Sequence, residues 1–357
     1  MKSLKPSLVL FLIALILRSS SLILATRLLG LTFAQIASFQ DGPSYLSLAT
    51  HWPVYPESES VIHFPFYPLV IALFVLFMPS VEISALVVSL LAGSVAVAIY
   101  GQILKRYTER WFEIALVFSV FPFRWFNVSQ LVMSEALFLS LVLLGLLLHE
   151  KGHYLIAGCV LGLSWLTKIS GILLLPVFLF RSILSRDKPL RILLWLIPCC
   201  GCLAALGIYF AARFGDAGIY FQQHNKLWGG SYFSYPFSAY VSGFLDPEIS
   251  WIRKAYVAFV LIEYFGGLIL GVIRWRRNRP EWALWILWAT PFLLLQTILQ
   301  GEGINWGFIS SARLMLPAAP AILLFWLDGI SRRRLLTLFG LLIPLALAYT
   351  IAEFHMQ

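Results

Sequence analysis

A polar stretch near the start of the chain gathers the residue types that perform acid–base chemistry. Residues 39–68 read FQDGPSYLSLATHWPVYPESESVIHFPFYP, and a hydrophobic run of membrane-spanning length precedes them. The ionisable residues of this stretch are Asp41, His51, Glu57, Glu59 and His63. The remainder of the chain is almost continuously apolar, and acids and histidines grouped beside such segments are typical of a site at the membrane–water interface. We therefore predict that this stretch carries the active site.

The composition places the chain in a membrane. Hydrophobic residues make up 60% of its 357 residues and charged residues only 12%, with a mean hydropathy of +0.85. A soluble domain carries about 25% charged residues, because it must cover its exterior with polar groups. We therefore predict a polytopic membrane protein of the all-α class and exclude a soluble fold.

The net charge of +9 arises from basic clusters in short loops between apolar runs. The main clusters are Lys105-Arg106 and those within residues 181–191, 274–279 and 332–334. This distribution follows the positive-inside rule, with anionic lipid headgroups as the partner, and does not favour nucleic-acid binding. Lys2 and Lys5 accordingly place the amino terminus in the cytoplasm and Asp41 outside.

Apolar runs predict eleven or twelve membrane-spanning segments in a single integral membrane domain over residues 1–357. The runs lie near residues 7–29, 64–79, 82–104, 111–124, 131–149, 153–167, 169–183, 190–212, 254–273, 282–299, 314–330 and 335–353. Several are shorter than the roughly 20 residues that cross a bilayer, so we expect half-helices or broken helices. The charge rule also requires one short segment between residues 60 and 125 to be re-entrant, unless the count is off by one.

Asp41 lies in the first extracytoplasmic loop, at about residues 30–63. The alternation of basic loops places two later polar stretches on the same side of the membrane. The larger, at about residues 213–252, is too long to be a mere connection. The smaller covers residues 300–313 and leads into a helix. The ionisable residues of interest in these stretches are His224, Lys226, Glu302 and Arg313.

Motifs along most of the chain resemble those of one enzyme superfamily. The pattern DxxxYLxLA begins at Asp41 and is followed by FPFYP at residues 64–68. Further along are MSEALFLSL at residues 133–141, LTKISGILLLP at residues 166–176 and SARLMLP at residues 311–317. Together they resemble the GT-C glycosyltransferases, and in particular their PIG-V-like mannosyltransferase branch.

The chain departs from this branch at three motif positions. Gln40 stands where the branch has Trp, Met133 stands where it has Tyr, and Lys168 stands where it has Arg. These differences leave the sugar and the acceptor open, because a fold supports an architecture better than a substrate.

The resemblance implies transfer of one sugar, mannose first, from a polyprenyl- or dolichyl-phosphate carrier to a lipid-linked or glycan acceptor. The reaction would take place on the extracytoplasmic face, with inversion at the anomeric carbon. A sugar hydroxyl is a poor nucleophile, and a positioned base that takes its proton contributes about 10²–10⁴-fold. Asp41 is the predicted base. The alternative is that Asp41 merely caps the short helix expected from Tyr45 to His51.

The departing lipid phosphate needs a cation to stabilise its growing charge. Arg313, Lys226 and His224 are the predicted donor-phosphate ligands, with Arg124 behind them. A guanidinium binds two phosphate oxygens at once, which favours Arg313. The alternatives are a snorkelling interfacial Arg313 and an ordinary solvated loop around His224 and Lys226.

Three further residues are predicted to position the acceptor or substrate. These residues are Tyr45, Glu135 and His63. Glu135 lies in an apolar run, where a charge costs roughly 2.5–3.5 kcal/mol, so it orients the acceptor, pairs with an arginine or caps a helix. Tyr45 offers an aromatic face for a sugar, although aromatic residues are also enriched at any membrane interface. Lys168 is predicted to anchor a helix end near the headgroups.

No cofactor is certain from the sequence. A divalent cation held by the acids and histidines of the first loop is one possibility, and an ordinary polar loop is the other. The spacing of His51, Glu57, Glu59 and His63 matches no defined metal motif.

A rival function is a lipid or solute transporter in which Asp41 and Glu135 couple to ions. The absence of internal sequence repeats counts against it. A polytopic ligase or polymerase that moves whole glycans is a third possibility, and it would not need the Asp41 loop.

Overall fold

Helices dominate the computed structural model, which describes residues 5–228, 235–277, 281–298, 308 and 310–356. No strand occurs within these ranges. The predicted all-α class is therefore confirmed. In chain order the helices are α1 (Pro6–Leu29), α2 (Phe33–Ala37), α3 (Gly42–Thr50), α4 (Phe66–Val75), α5 (Val81–Leu104), α6 (Trp111–Phe118), α7 (Phe123–Val128), α8 (Glu135–Glu150), α9 (Tyr154–Trp165), α10 (Leu175–Leu184), α11 (Pro189–Phe214), α12 (Ile219–Trp228), α13 (Ser238–Leu245), α14 (Trp251–Arg276), α15 (Trp282–Ile298), α16 (Ser311–Leu314), α17 (Ala319–Leu327) and α18 (Arg332–Met356). Short 3-10 turns lie at Ser58–Ile62, Ile169–Leu174 and Leu316–Ala318.

Five helices in the described part of the chain are long and apolar enough to cross a membrane. They are α1, α5, α11, α14 and α18. A helix of 24 residues, such as α1, is about 36 Å long and exceeds the roughly 30 Å of hydrocarbon in a bilayer. The chain is therefore an integral multi-pass membrane protein.

The other apolar helices are shorter, as the sequence led us to expect. The predicted run at residues 64–79 forms only the ten-residue helix α4, about 15 Å long. The run at residues 111–124 is divided between α6 and α7, and the run at residues 131–149 becomes helical only at Glu135. A helix as short as α4 does not cross the hydrocarbon upright, which fits the charge rule's need for one incomplete crossing before residue 125. The total of eleven or twelve crossings stays a prediction.

Proline and glycine mark the ends of the long helices. Pro6 and Pro189 lie in the first turns of α1 and α11, where a missing backbone N–H costs nothing. Gly30 and Gly215 follow the same two helices with φ of 68° and 77°. Only glycine adopts this left-handed conformation without a steric penalty, so both helices stop there.

The chain forms two compact units. The first consists of Met1–Ile172, Arg186–Ala217 and Gly329–Gln357, and the second consists of Leu173–Ser185 and Gly218–Asp328. In the second unit, Gly267 and Gly271 of α14 let the side chains of Trp326 and Phe325 approach the helix closely.

Glycine also allows close helix packing in the first unit, where α9 packs against α11. A Cβ atom placed on Gly158 would lie 2.3 Å from the backbone oxygen of Trp195. A contact that short is impossible, and backbone cannot swing away as a flexible side chain does. Gly158 therefore allows the close approach of these two helices.

We predict that Gly158→Ala lowers the thermal unfolding midpoint of the purified protein, because α9 and α11 must separate to admit the methyl group. Overpacking of this kind costs about 1–3 kcal/mol. Gly201→Ala is the matched control, since a Cβ at Gly201 of α11 meets no atom within 4 Å. Equal midpoints for the two variants, measured by thermal denaturation in detergent, would contradict this packing argument.

Candidate active site

A sharp corner between α2 and α3 carries Asp41. Helix α2, which leads into the corner, starts with a capping box. The Thr32 hydroxyl accepts from the Gln35 N–H, and the Gln35 side chain accepts from the Thr32 N–H. At the other side of the corner, a Cβ on Gly42 would lie 2.0 Å from the backbone oxygen of Ala37. Only glycine permits this approach, so the sequence Asp-Gly-Pro builds a corner of defined geometry.

Asp41 occupies the N-cap position of α3, but its side chain makes no capping hydrogen bond. Its backbone oxygen accepts from the Tyr45 N–H at 3.2 Å, and the residue is half-buried. The capping alternative is therefore correct for the position of the residue and wrong for the role of its carboxylate.

Tyr45, one helical turn after Asp41, is the centre of a buried polar and aromatic cluster. Its hydroxyl donates to the Ser134 hydroxyl at 3.0 Å. Its ring lies 4.8 Å from the rings of both His63 and Tyr67, in edge-on contacts. The structure thus brings the predicted residues Tyr45 and His63 into direct contact, and it places Tyr45 beside Ser134, the residue before Glu135.

Glu135 is the first residue of α8 and forms an ion pair with Lys168. The distance from the Lys168 Nζ to the Glu135 Oε1 is 2.7 Å, and only 3% of the Glu135 side chain is exposed. Of the predicted roles for Glu135, pairing with a cation is the one observed, although the cation is a lysine and not an arginine. Lys168 lies just after the end of α9 with its ammonium on the buried Glu135 carboxylate, and its anchoring of this helix end near the headgroups stays a prediction.

Backbone and side-chain hydrogen bonds join the other motifs to this cluster. The Phe66 N–H donates to the Leu166 oxygen at 3.0 Å, which connects the FPFYP segment to the LTK segment. The Tyr55 hydroxyl donates to the His63 oxygen at 2.9 Å. Burial, with a smaller effect from Tyr209, raises the pKa of Tyr55 well above its usual range, so this hydroxyl keeps its proton and its bond.

A buried arginine that the sequence analysis missed stabilises the first unit. Arg18 lies in the middle of α1 and is fully buried. Its Nε donates to the Ser129 hydroxyl at 2.7 Å, and its guanidinium carbon lies 5.6 Å from the centre of the Trp125 ring. Its presence within an apolar run was the available signal, because a charged residue in such a helix needs a buried partner.

Arg124 and Glu353 lie next to the Asp41 corner and were not predicted as a pair. The two Arg124 terminal nitrogens donate to the Gln40 and Glu353 side-chain oxygens, both at 2.9 Å. A groove of about 550 Å³ opens along the same corner. Its lining residues are Leu31, Ala34, Gln35, Ser38, Phe39 and Gln40.

The predicted phosphate ligands belong to the second unit. Arg313 is half-buried in α16, and Lys226 is exposed in α12. His224, also in α12, has its ring 5.4 Å from that of Tyr220. Burial lowers the pKa of His224 below its usual value, so at neutral pH the imidazole is a hydrogen-bond donor without a charge. Glu302 lies outside the described residues.

Among the described residues, the acids and histidines of the first loop do not form a metal-binding group. There, no set of three or more His, Cys, Asp or Glu residues is arranged to hold a metal ion. His51 ends α3, and its Nδ1 lies 2.8 Å from the Ser47 oxygen one turn earlier. The Glu59 side chain lies outside the description.

Comparison with known proteins gives a likeness to a solved structure. No family model matches the chain, and no curated protein does. The structure of ArnT from Cupriavidus metallidurans in the apo state matches 82% of this chain with a TM-score of 0.53. The chain has the GT-C fold of ArnT. Sequence identity is 15%, and the match covers 54% of ArnT, so this chain spans about half of its length. This likeness shows the fold, and the PIG-V-like branch stays a prediction.

We predict that Lys168→Met destabilises the folded protein by about 3–5 kcal/mol, because it removes the cation that faces the buried Glu135 carboxylate. Lys168→Arg keeps the charge and should cost much less. Adding Glu135→Gln to Lys168→Met should recover most of the lost stability. The check is the unfolding midpoint of each variant in detergent. Equal unfolding midpoints for Lys168→Met and Lys168→Arg would mean that the ion pair does not stabilise the folded protein.

Proposed function

We propose that the chain is a membrane glycosyltransferase that moves one sugar from a polyprenyl-phosphate carrier to a lipid-linked or glycan acceptor. The reaction occurs on the extracytoplasmic face, the predicted side of Asp41. Mannose is the first sugar to test, because the motifs resemble the PIG-V-like mannosyltransferase branch. The fold shared with ArnT supports a lipid-linked sugar as donor in general terms.

The observation that carries the proposal is the setting of Asp41. Asp41 lies at a corner whose close backbone approach requires Gly42, and its carboxylate is not used to cap α3. A groove whose lining combines polar residues such as Gln35 and Gln40 with apolar ones such as Leu31 opens along the same corner. A general base needs a defined position and access to the acceptor hydroxyl, and the corner with its neighbouring groove supports this role for Asp41.

The proposed chemistry is a single displacement. The Asp41 carboxylate takes the proton of the acceptor hydroxyl as that oxygen bonds to the anomeric carbon of the sugar. The bond from the anomeric carbon to the carrier phosphate breaks, and the phosphate departs with the electron pair. Attack on the face opposite to the leaving group inverts the anomeric configuration.

The remaining predicted residues have supporting roles in this proposal. Arg313 is the preferred ligand of the departing phosphate, because its guanidinium binds two oxygens, and Lys226 supplies a second cation. His224 contributes a hydrogen bond, since its lowered pKa leaves it neutral at pH 7. Tyr45, His63 and Glu135 position the acceptor or substrate in this proposal, and Glu135 acts through its pairing with Lys168.

The transporter alternative receives less support. An acid that couples to ions must bind and release them during each cycle. Glu135 is instead 2.7 Å from Lys168 and almost fully buried, an arrangement that favours a permanent ion pair.

We predict that Asp41→Asn abolishes transfer while folding and expression stay normal, because the amide cannot accept the hydroxyl proton. The assay presents purified protein with a panel of polyprenyl-phosphate sugars and follows the release of carrier phosphate. Asp246→Asn is the matched control, since Asp246 lies after α13 and its carboxylate accepts from the Glu248 N–H.

A residual rate above about one tenth of the wild-type rate in Asp41→Asn would remove Asp41 as the base, given the 10²–10⁴-fold expected of such a group. If no donor of the panel reacts with the wild-type protein, the glycosyltransferase proposal itself fails for those sugars.

A further inference from the structure

The residue before Asp41 has an unusual backbone conformation. Gln40 has a φ of 54°, in the left-handed region that residues other than glycine rarely adopt. Such a conformation persists only where surrounding contacts hold it. The question is therefore which contacts keep Gln40, and with it the backbone of Asp41, in place.

Arg124 provides the main contact. One of its terminal nitrogens donates to the Gln40 side-chain oxygen at 2.9 Å, and the other donates to the Glu353 carboxylate at 2.9 Å. The side chains of Arg124 and Glu353 are only 14% and 20% exposed. Two different nitrogens of one planar group thus bridge the Asp41 corner and the end of α18, 229 residues further along the chain from Arg124.

The last turn of α18 is itself held in register with the corner. The Tyr349 hydroxyl donates to the other Glu353 oxygen at 3.2 Å. The Phe354 ring meets the Phe39 ring edge-on at 4.8 Å. The contacts of Glu353 and Phe354 therefore hold the Glu353 carboxylate at a defined distance and direction from Arg124.

Arg124 has a rigid base, because both ends of its helix are anchored. Phe123 at the start of α7 stacks on Tyr349, with ring centres 6.0 Å apart. Ser129, just after α7, accepts the hydrogen bond of the buried Arg18 at 2.7 Å. A six-residue helix has little stability of its own, so these contacts hold the Arg124 backbone in place.

We infer that Arg124 and Glu353 are positioning residues for the Asp41 base and that the end of α18 is part of the active site. This inference rests on the proposed function. Arg124 holds Gln40 and so sets the direction of the Asp41 carboxylate towards the acceptor. A lysine cannot replace it, because one ammonium on a flexible stem does not reproduce a planar fork with two partners.

The first test uses hydrogen–deuterium exchange and needs no substrate. Arg124→Leu should increase amide exchange in residues 38–45, where the Gly42 and Tyr45 N–H groups bond within the corner. The matched control is Arg106→Leu, because Arg106 also pairs with a glutamate, Glu150, at 2.9 Å. Unchanged exchange of residues 38–45 in Arg124→Leu would overturn the inference.

The second test is a kinetic cycle on Gln40 and Arg124. Gln40→Leu and Arg124→Leu should each lower kcat by roughly 10–100-fold with little change in KM, because the base is misdirected while substrate still binds. The double variant should be no slower than Arg124→Leu alone, since each single change already breaks the contact between Gln40 and Arg124. Gln40→Glu keeps an oxygen for Arg124 and should retain most of the wild-type kcat.

Glu353→Gln should likewise retain an oxygen for Arg124, whereas Glu353→Leu should behave as Arg124→Leu does. Multiplied losses in the Gln40 and Arg124 double variant would mean separate structural effects and would reject the positioning role. An unchanged kcat in Arg124→Leu would reject it as well.

The two tests separate this inference from the proposed function. Faster exchange in Arg124→Leu, together with a wild-type protein that uses no donor, would support the bridge and count against the glycosyltransferase. Faster exchange together with a lost kcat supports both.

Discussion

The ion pair between Lys168 and Glu135 is the interaction on which the first unit depends. It connects the start of α8 to the segment that follows α9, in surroundings where an isolated charge is unstable. The residue before Glu135 accepts the hydroxyl hydrogen bond of Tyr45, and the carbonyl two residues before Lys168 accepts from Phe66. The ion pair therefore stabilises the segments that contact Tyr45 and Phe66, on either side of the first loop. Neither solvent nor lipid could neutralise these two charges in its place.

The buried polar contacts of this unit form a connected layer within an apolar protein. Tyr67 shares a hydrogen bond of 2.6 Å with Ser89 of α5, and Arg18 of α1 reaches Ser129 after α7. In a membrane protein such contacts are favoured over exposure to lipid, which has no hydrogen-bonding groups. Helices that share apolar surfaces can slide against each other at small cost, whereas hydrogen bonds of fixed length give them one register. Precise placement of a catalytic group needs that register.

Local sequence was enough to predict the class of the fold and the segment that holds Asp41. The composition requires membrane helices, and the Asp-Gly-Pro sequence produces the corner for steric reasons that act over a few residues. Tyr45 follows four residues later and must lie one turn along the same helix. The contact of Tyr45 with His63 could not be predicted from the sequence, although both residues were predicted to position the acceptor or substrate.

Long-range pairings could not be predicted in the same way. Nothing near Arg124 indicates that its partner is Glu353, because the pairing depends on how α7 and α18 pack. The pairing of Lys168 with Glu135 was hidden for the same reason, because only the fold reveals the carboxylate opposite the lysine. Helix lengths were also hard to predict, since hydropathy does not show where an apolar run such as residues 111–124 stops being helical.

The separation of Glu135 and Lys168 has a consequence for biogenesis. The two residues lie at the outer ends of the hairpin that α8 and α9 form, 33 positions apart. If α8 left the translocon alone, the Glu135 carboxylate at its first residue would lack the ammonium that faces it in the folded protein. When the hairpin leaves as a unit, each charge neutralises the other before either meets the hydrocarbon. The charge pair therefore favours integration of the hairpin over integration of the single helix in this part of the chain.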